Sequence, residues 1–221
     1  MVEGPTKSGS EIKDLFVAGL GFLLIVQLLA TILSVLSLDN IADLRLGLEA
    51  AVFFVIALCL NHKYPLRLSI FESNHLILYV CIGLAYSVLH FIPYFMALTR
   101  GLIPSVQYLE YVVLPPERGI VFLLLVIIII PFLEEILFRG FMFRLLARRT
   151  SNSAAMIISS LVFTAGHGFH SGWFFDHFIF GVICCYIYSK SKTLWSSIIT
   201  HSVNNAVFYL GTFMLFKQKM F

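Results

Sequence analysis

Charge is scarce in this chain: only 12% of its 221 residues are Asp, Glu, Lys or Arg, against about 25% in an ordinary soluble domain. Too few charges exist to cover a globular surface, which excludes a typical soluble domain. With 59% hydrophobic residues and a mean hydropathy of +0.93, the chain reads as a polytopic membrane protein. An excess of one charge sign is also missing. The formal net charge is +3 and the basic residues lie mainly in loops, so nucleic acid is not an expected partner. Cysteine is sparse: Cys59, Cys81, Cys184 and Cys185 all fall in apolar segments, where they read as small buried hydrophobes. They show neither metal-ligand spacing nor a secreted disulfide framework. HExxH does not occur, and no internal or inverted repeat is visible. No serine or cysteine stands out as a nucleophile, since Ser202 adjoins His201 but points off its face. A cleavable signal pattern is absent from the start of the chain, so the first apolar run is expected to be a retained helix.

What the chain has in abundance is apolar runs. They cover residues 15–38, 46–60, 75–98, 120–138, 154–167, 173–189 and 194–216. A bilayer crossing needs about 20 such residues, so about seven spans are expected, some short enough to be tilted, bent or partly re-entrant. The predicted architecture is all-α: a polytopic transmembrane helix bundle with its site in a polar interior. Residues 1–13, with Gly4, Pro5, Ser8, Gly9 and Ser10, read as a flexible lead, and 14–221 as a single transmembrane domain. The longest connection, 99–119, holds Pro104, Pro115 and Pro116. Basic residues in loops orient such a bundle. Arg144, Arg148 and Arg149, then Lys190 and Lys192, with Lys63 and Arg67, place one side in the cytoplasm. Lys217 and Lys219 count against that scheme.

Polar residues inside the apolar runs are few, and they form a pattern. Residues 120–133 read IVFLLLVIIIIPFL, with no charge, and are followed at once by Glu134, Glu135 and then Arg139. An ionisable group within a span costs roughly 2.5–3.5 kcal/mol even on lenient scales, so it marks a functional site by default. Residues four apart share a helix face, whereas adjacent ones diverge by about 100°. Glu135 and Arg139 are thus expected to pair, which leaves Glu134 to do chemistry. The segment FTAGHGFH places His167 four residues after Phe163, between Gly166 and Gly168; THSVNNA places His201 and Asn205 on one face. A carboxylate and an imidazole can hold and deprotonate a water. A second histidine and an amide can donate hydrogen bonds to the oxyanion formed when that water attacks a peptide carbonyl. His170, Asp176 and His177 flank a short connection and are expected at the membrane interface, with a role in substrate entry as the lesser reading. His62 and His75 sit at loop edges, and His90 is a solitary span residue.

EExxxR (Glu134, Glu135, Arg139), FxxxH (Phe163, His167) and HxxxN (His201, Asn205), in that order on successive helices, resemble the CPBP family. These are the CAAX-processing and bacteriocin-processing intramembrane proteases, also called the Abi family. The resemblance covers about residues 131–210. It implies a glutamate-dependent intramembrane endopeptidase that needs no cofactor. Glu134 with His167 would activate water, His201 with Asn205 would form the oxyanion hole, and Glu135, Arg139 and Phe163 would support the site. The substrate implied is a hydrophobic or lipidated peptide: a prenylated CAAX end, a leader peptide or a sorting signal. The expected location is a prokaryotic plasma membrane. One departure concerns the helix before HxxxN, where the family often carries two spaced glycines; here Gly181 is followed by Cys184 or Cys185. Two other readings stay open. Glu134, His167 and His201 are a possible zinc ligand set with an open position. A non-catalytic scaffold, chaperone or transporter is the other, since intramembrane acids and histidines also build proton relays.

Overall fold

The computed structural model describes residues 42–63, 66, 75–99, 120–167 and 174–219. The expected lead, the first apolar run at 15–38, the proline-bearing part of the 99–119 connection and His170 lie outside these. Among the described residues there are six helices and no strand. They are α1 (Ala42–Lys63), α2 (Leu76–Thr99), α3 (Ile120–Ala147), α4 (Asn152–Gly166), α5 (Phe174–Ser191) and α6 (Leu194–Lys219). By length and composition α3 is the one described helix able to cross a membrane. Shorter apolar stretches run over Ala50–His62, Leu76–Ile92 and Asn152–Gly166. The described part of the chain is therefore all-α and membrane-compatible; a count of seven crossings goes beyond it.

Hydropathy ends the fourth run at residue 138, yet α3 continues to Ala147. Arg139 interrupts the apolar run but not the helix, because no proline or capping residue follows it, and Phe141, Phe143 and Leu145 are buried beyond it. The helix also changes pitch. It widens to π geometry over Leu125–Ile129 and again over Ile136–Phe143, with an α-helical stretch, Ile130–Glu135, between. Such segments are uncommon and often accompany functional sites. Both glutamates close the α-helical stretch, immediately before the second wide segment. After α3, the amides of Arg149 and Thr150 both bond the Leu146 carbonyl at 2.9 Å. Ser151 then caps α4, its hydroxyl accepting from the Ala154 amide at 3.2 Å, as serine does at helix starts.

The chain forms two units. The first comprises residues 1–69 and 133–194. In it α4 packs along α5, and α1, α4 and α5 all pack against the wide segment Ile136–Phe143 of α3. Gly181 of α5 lies directly against Ser160 of α4. A Cβ added there would lie 3.0 Å from Ser160 Cβ and 3.2 Å from its Cα, a small-residue crossing of the kind membrane helices favour. Cys184 and Cys185, where a second small residue is expected, are fully buried. The outward face is apolar: Ile157, Ile158 and Leu161 on α4, and Phe175 and Ile179 on α5, are exposed. Glu134, Glu135, Arg139, Ser159, Ser160 and Thr164 are buried. Polar inside and apolar outside is the arrangement a hydrocarbon solvent dictates.

The second unit comprises residues 70–132 and 195–221. Tyr79, Gly83 and Ser87 recur every four residues on α2, which lines them up on one face, and all three are buried. Against that face lies α6. A Cβ on Gly83 would sit 2.8 Å from the Thr200 carbonyl oxygen. The Thr200 hydroxyl donates to the Tyr79 carbonyl at 3.1 Å. Ser87 Oγ reaches both the Gly83 carbonyl (2.7 Å) and Asn204 Oδ1 (2.9 Å), its single proton serving one at a time. Phe122 of α3 meets Tyr209 of α6 edge to face, with ring centroids 5.7 Å apart.

Candidate catalytic site

Glu135 Oε1 accepts a hydrogen bond from Arg139 Nη1 at 2.8 Å, and both side chains have zero exposure. The guanidinium is held further by Nη2 donating to the Gly181 carbonyl of α5 at 3.2 Å. Its Cζ lies 4.8 Å from the centroid of the Phe163 ring of α4, within cation–π range. One buried cation thus joins three helices. Helical spacing supplies the Glu135 contact, and tertiary packing supplies the other two.

Glu134, one residue earlier, turns to a different neighbour. Its Oε1 stands 3.9 Å from His167 Nε2; the glutamate side chain is 8% exposed and that of the histidine 29%. His167 lies just past the end of α4, with Nδ1 2.9 Å from the Phe163 carbonyl. A carbonyl oxygen can only accept, so Nδ1 carries the proton of that contact. The titrating nitrogen is therefore Nε2, the one turned to Glu134. Phe163 also packs its ring on the imidazole, with centroids 4.5 Å apart, and meets Phe138 edge to face at 5.2 Å. This one aromatic contacts both the Arg139 guanidinium and the histidine ring. Ser159 donates to the Phe138 carbonyl at 3.0 Å, holding α4 on the wide segment of α3.

In the second unit, His201 is buried, and Asn205 follows it by four residues on α6. Asn205 Nδ2 donates to the Val126 carbonyl at 2.9 Å, within the first wide segment of α3. A side-chain amide has two N–H groups; this bond orients the amide and leaves the second N–H for another acceptor.

The structure thus brings together Glu134 with His167, and Glu135 with Arg139 and Phe163, in the first unit. It places His201 and Asn205 on α6 in the second. Sequence reasoning placed His177 at the membrane interface and gave it no contact with His167. Its ring stacks on His167, with centroids 4.4 Å apart and planes at 29°. The signal available was its position four residues before Gly181. Among the described residues no group of three or more His, Cys, Asp and Glu side chains is arranged to hold a metal ion.

Residues 116–207 match the family described as type II CAAX prenyl endopeptidase Rce1-like. The chain is also similar to UPF0177 protein YxdF of Lactococcus lactis subsp. lactis (strain IL1403), with 35% identity over 78 residues. That match spans 35% of this chain and 42% of the relative, less than half of its length. No solved structure matches the chain. All seven motif residues fall inside this segment, over which the chain is similar to the Rce1-like, CAAX/Abi type of intramembrane protease.

Proposed function

We propose that the protein is an intramembrane endopeptidase that hydrolyses a peptide bond in a membrane-associated or lipidated peptide. The observation that carries this reading is the Glu134 carboxylate facing the titrating nitrogen of His167 at 3.9 Å. The separation exceeds a direct hydrogen bond, yet one water set to the side of the pair can contact both. Glu134 takes the proton of that water, and the hydroxide oxygen bonds to the peptide carbonyl carbon. The carbonyl π electrons move onto oxygen, and His201 with the second N–H of Asn205 donates hydrogen bonds to the resulting oxyanion. Collapse of this intermediate breaks the C–N bond, and the leaving nitrogen takes the proton held by Glu134. The products are a carboxylic acid and an amine, with no covalent enzyme intermediate. His167 bonds the same water and fixes its lone pair toward the carbonyl.

Glu135, Arg139 and Phe163 support the site in this reading. The mechanism is metal-free, and the bundle has about seven spans in a prokaryotic plasma membrane. A prenylated CAAX end is the substrate class that the family description favours, over a leader peptide or a sorting signal. The test is cleavage of a panel of prenylated and unprenylated peptides by purified protein in liposomes, with Glu134→Gln and a chelator alongside. Cleavage should vanish in Glu134→Gln, with the variant's melting temperature close to that of the parent, and should survive chelation. Parent-level cleavage by the variant would remove Glu134 from the mechanism. Loss on chelation would point to the zinc ligand set instead, and a parent that cleaves nothing in the panel would favour a non-catalytic role.

A further inference from the structure

His177 is not among the three motifs, yet its ring stacks on the imidazole proposed to hold the water. We propose that His177 is a positioning residue for His167, presenting Nε2 of that ring to Glu134; this rests on the functional reading above. The placement is built from α5. Gly181 is clamped on two sides, by Arg139 Nη2 donating to its carbonyl at 3.2 Å and by Ser160 at its Cα. Those contacts fix the rotation of α5. His177, four residues earlier, lies one turn along the same face. Its ring reaches His167 at 4.4 Å with planes at 29°.

His167 needs such a contact because of where it sits. α4 ends at Gly166, so the helix no longer frames this residue, and its side chain is 29% exposed. Rotation about the second side-chain torsion of histidine is broad and roughly two-fold. A flipped ring would exchange the roles of Nδ1 and Nε2. The Phe163 carbonyl holds one edge by a hydrogen bond. Rings from two helices, Phe163 of α4 and His177 of α5, contact the imidazole at 4.5 and 4.4 Å and oppose rotation out of that plane. Misplacement of a reacting group by about 1 Å can lower turnover by about 10²-fold. Loss of the His177 contact is expected to lower it by about tenfold.

The experiment compares parent, His177→Ala and His177→Phe in liposomes, on a peptide that the parent cleaves in a Glu134-dependent way. His177→Ala should lower kcat by about tenfold and leave KM within about twofold, because the loss is in orienting the water rather than in holding the peptide. His177→Phe should recover most of kcat, since a phenyl ring restores the stack without a titrating nitrogen. A second readout needs no substrate. Nitrogen-15 NMR of imidazole-labelled protein in micelles, above the titration of the ring, should show His167 in the Nδ1–H tautomer in parent and His177→Phe. His177→Ala should show both tautomers. Parent-level kcat in His177→Ala, a single unchanged tautomer in it, or a His177→Phe as slow as His177→Ala would each overturn the proposal. The last would mean that His177 acts through its nitrogens. Should the parent cleave no peptide, or cleave without Glu134, the functional reading fails while the tautomer readout still decides the role of His177.

Discussion

The two units solve the same problem, a polar group inside an apolar helix bundle, by opposite means. In the first unit the solution is charge: Glu135 and Arg139 are both fully buried and bonded at 2.8 Å. The cation is held further by the Gly181 carbonyl and the Phe163 ring. In the second unit the solution is neutral. Asn205 bonds the Val126 carbonyl, Thr200 bonds that of Tyr79, and Ser87 bonds Gly83 and Asn204. A buried ion pair loses heavily when one partner is removed, because the other remains as an uncompensated charge. A neutral hydrogen bond in the same setting loses only its modest net worth, about 1 kcal/mol. The buried ion pair is therefore expected to tolerate loss of neither partner, and the neutral hydrogen bonds to cost little stability when one is removed.

The largest effect should come from Glu135→Ala. Leaving Arg139 buried without that carboxylate should cost about 3–5 kcal/mol, read as a lower melting temperature in detergent with activity lost alongside. Replacing both members, Glu135→Leu with Arg139→Met, should recover much of the stability. If Glu135→Ala alone melts with the parent, the contrast drawn between the units is wrong. On the neutral side, Asn205→Ala should lower kcat by about 10²–10³-fold if the amide serves the oxyanion. The accompanying stability loss is only about 1 kcal/mol. Equal losses of fold and turnover would make Asn205 a structural residue.

Close helix approaches sharpen the comparison further. A methyl group on Gly83 would meet a backbone oxygen at 2.8 Å, whereas on Gly181 it would first meet the Ser160 side chain at 3.0 Å. Backbone cannot step aside as a side chain can, so Gly83→Ala should destabilise by about 1–3 kcal/mol. Gly181→Ala should cost less, a ranking that paired thermal melts decide. The smallest effect is expected from Ser159→Ala, which removes one hydrogen bond to the Phe138 carbonyl. It should cost about 1 kcal/mol, with turnover nearly intact in a cleavage assay.

Much of the candidate site is legible in the sequence because its key contacts are local. Glu135 and Arg139 pair at four residues' spacing on one helix. Phe163 and His167 likewise meet along one stretch of chain. The helix bounds follow hydropathy wherever the apolar run and the helix end together. They part at α3, where an arginine ends the run but, once paired, continues the helix to Ala147. The contact of His177 with His167 was not legible for the complementary reason. The two are ten residues apart across a connection, and no periodicity links them.

By itself, the sequence determined the all-helical character of the described residues, the membrane setting and which side chains are proposed to carry the chemistry. Within a bilayer only helices and closed barrels satisfy their own backbone, and long unbroken apolar runs select helices; polar residues within those runs are too unfavourable to be incidental. Tertiary structure decided how those side chains are aimed. Only packing brings the Gly181 carbonyl to Arg139, the Val126 carbonyl to Asn205 and the His177 ring to His167. These contacts join different helices, and their directions depend on the rotation of each helix about its own axis. That rotation is set by close approach at small residues such as Gly83 and Gly181, a property of two surfaces together.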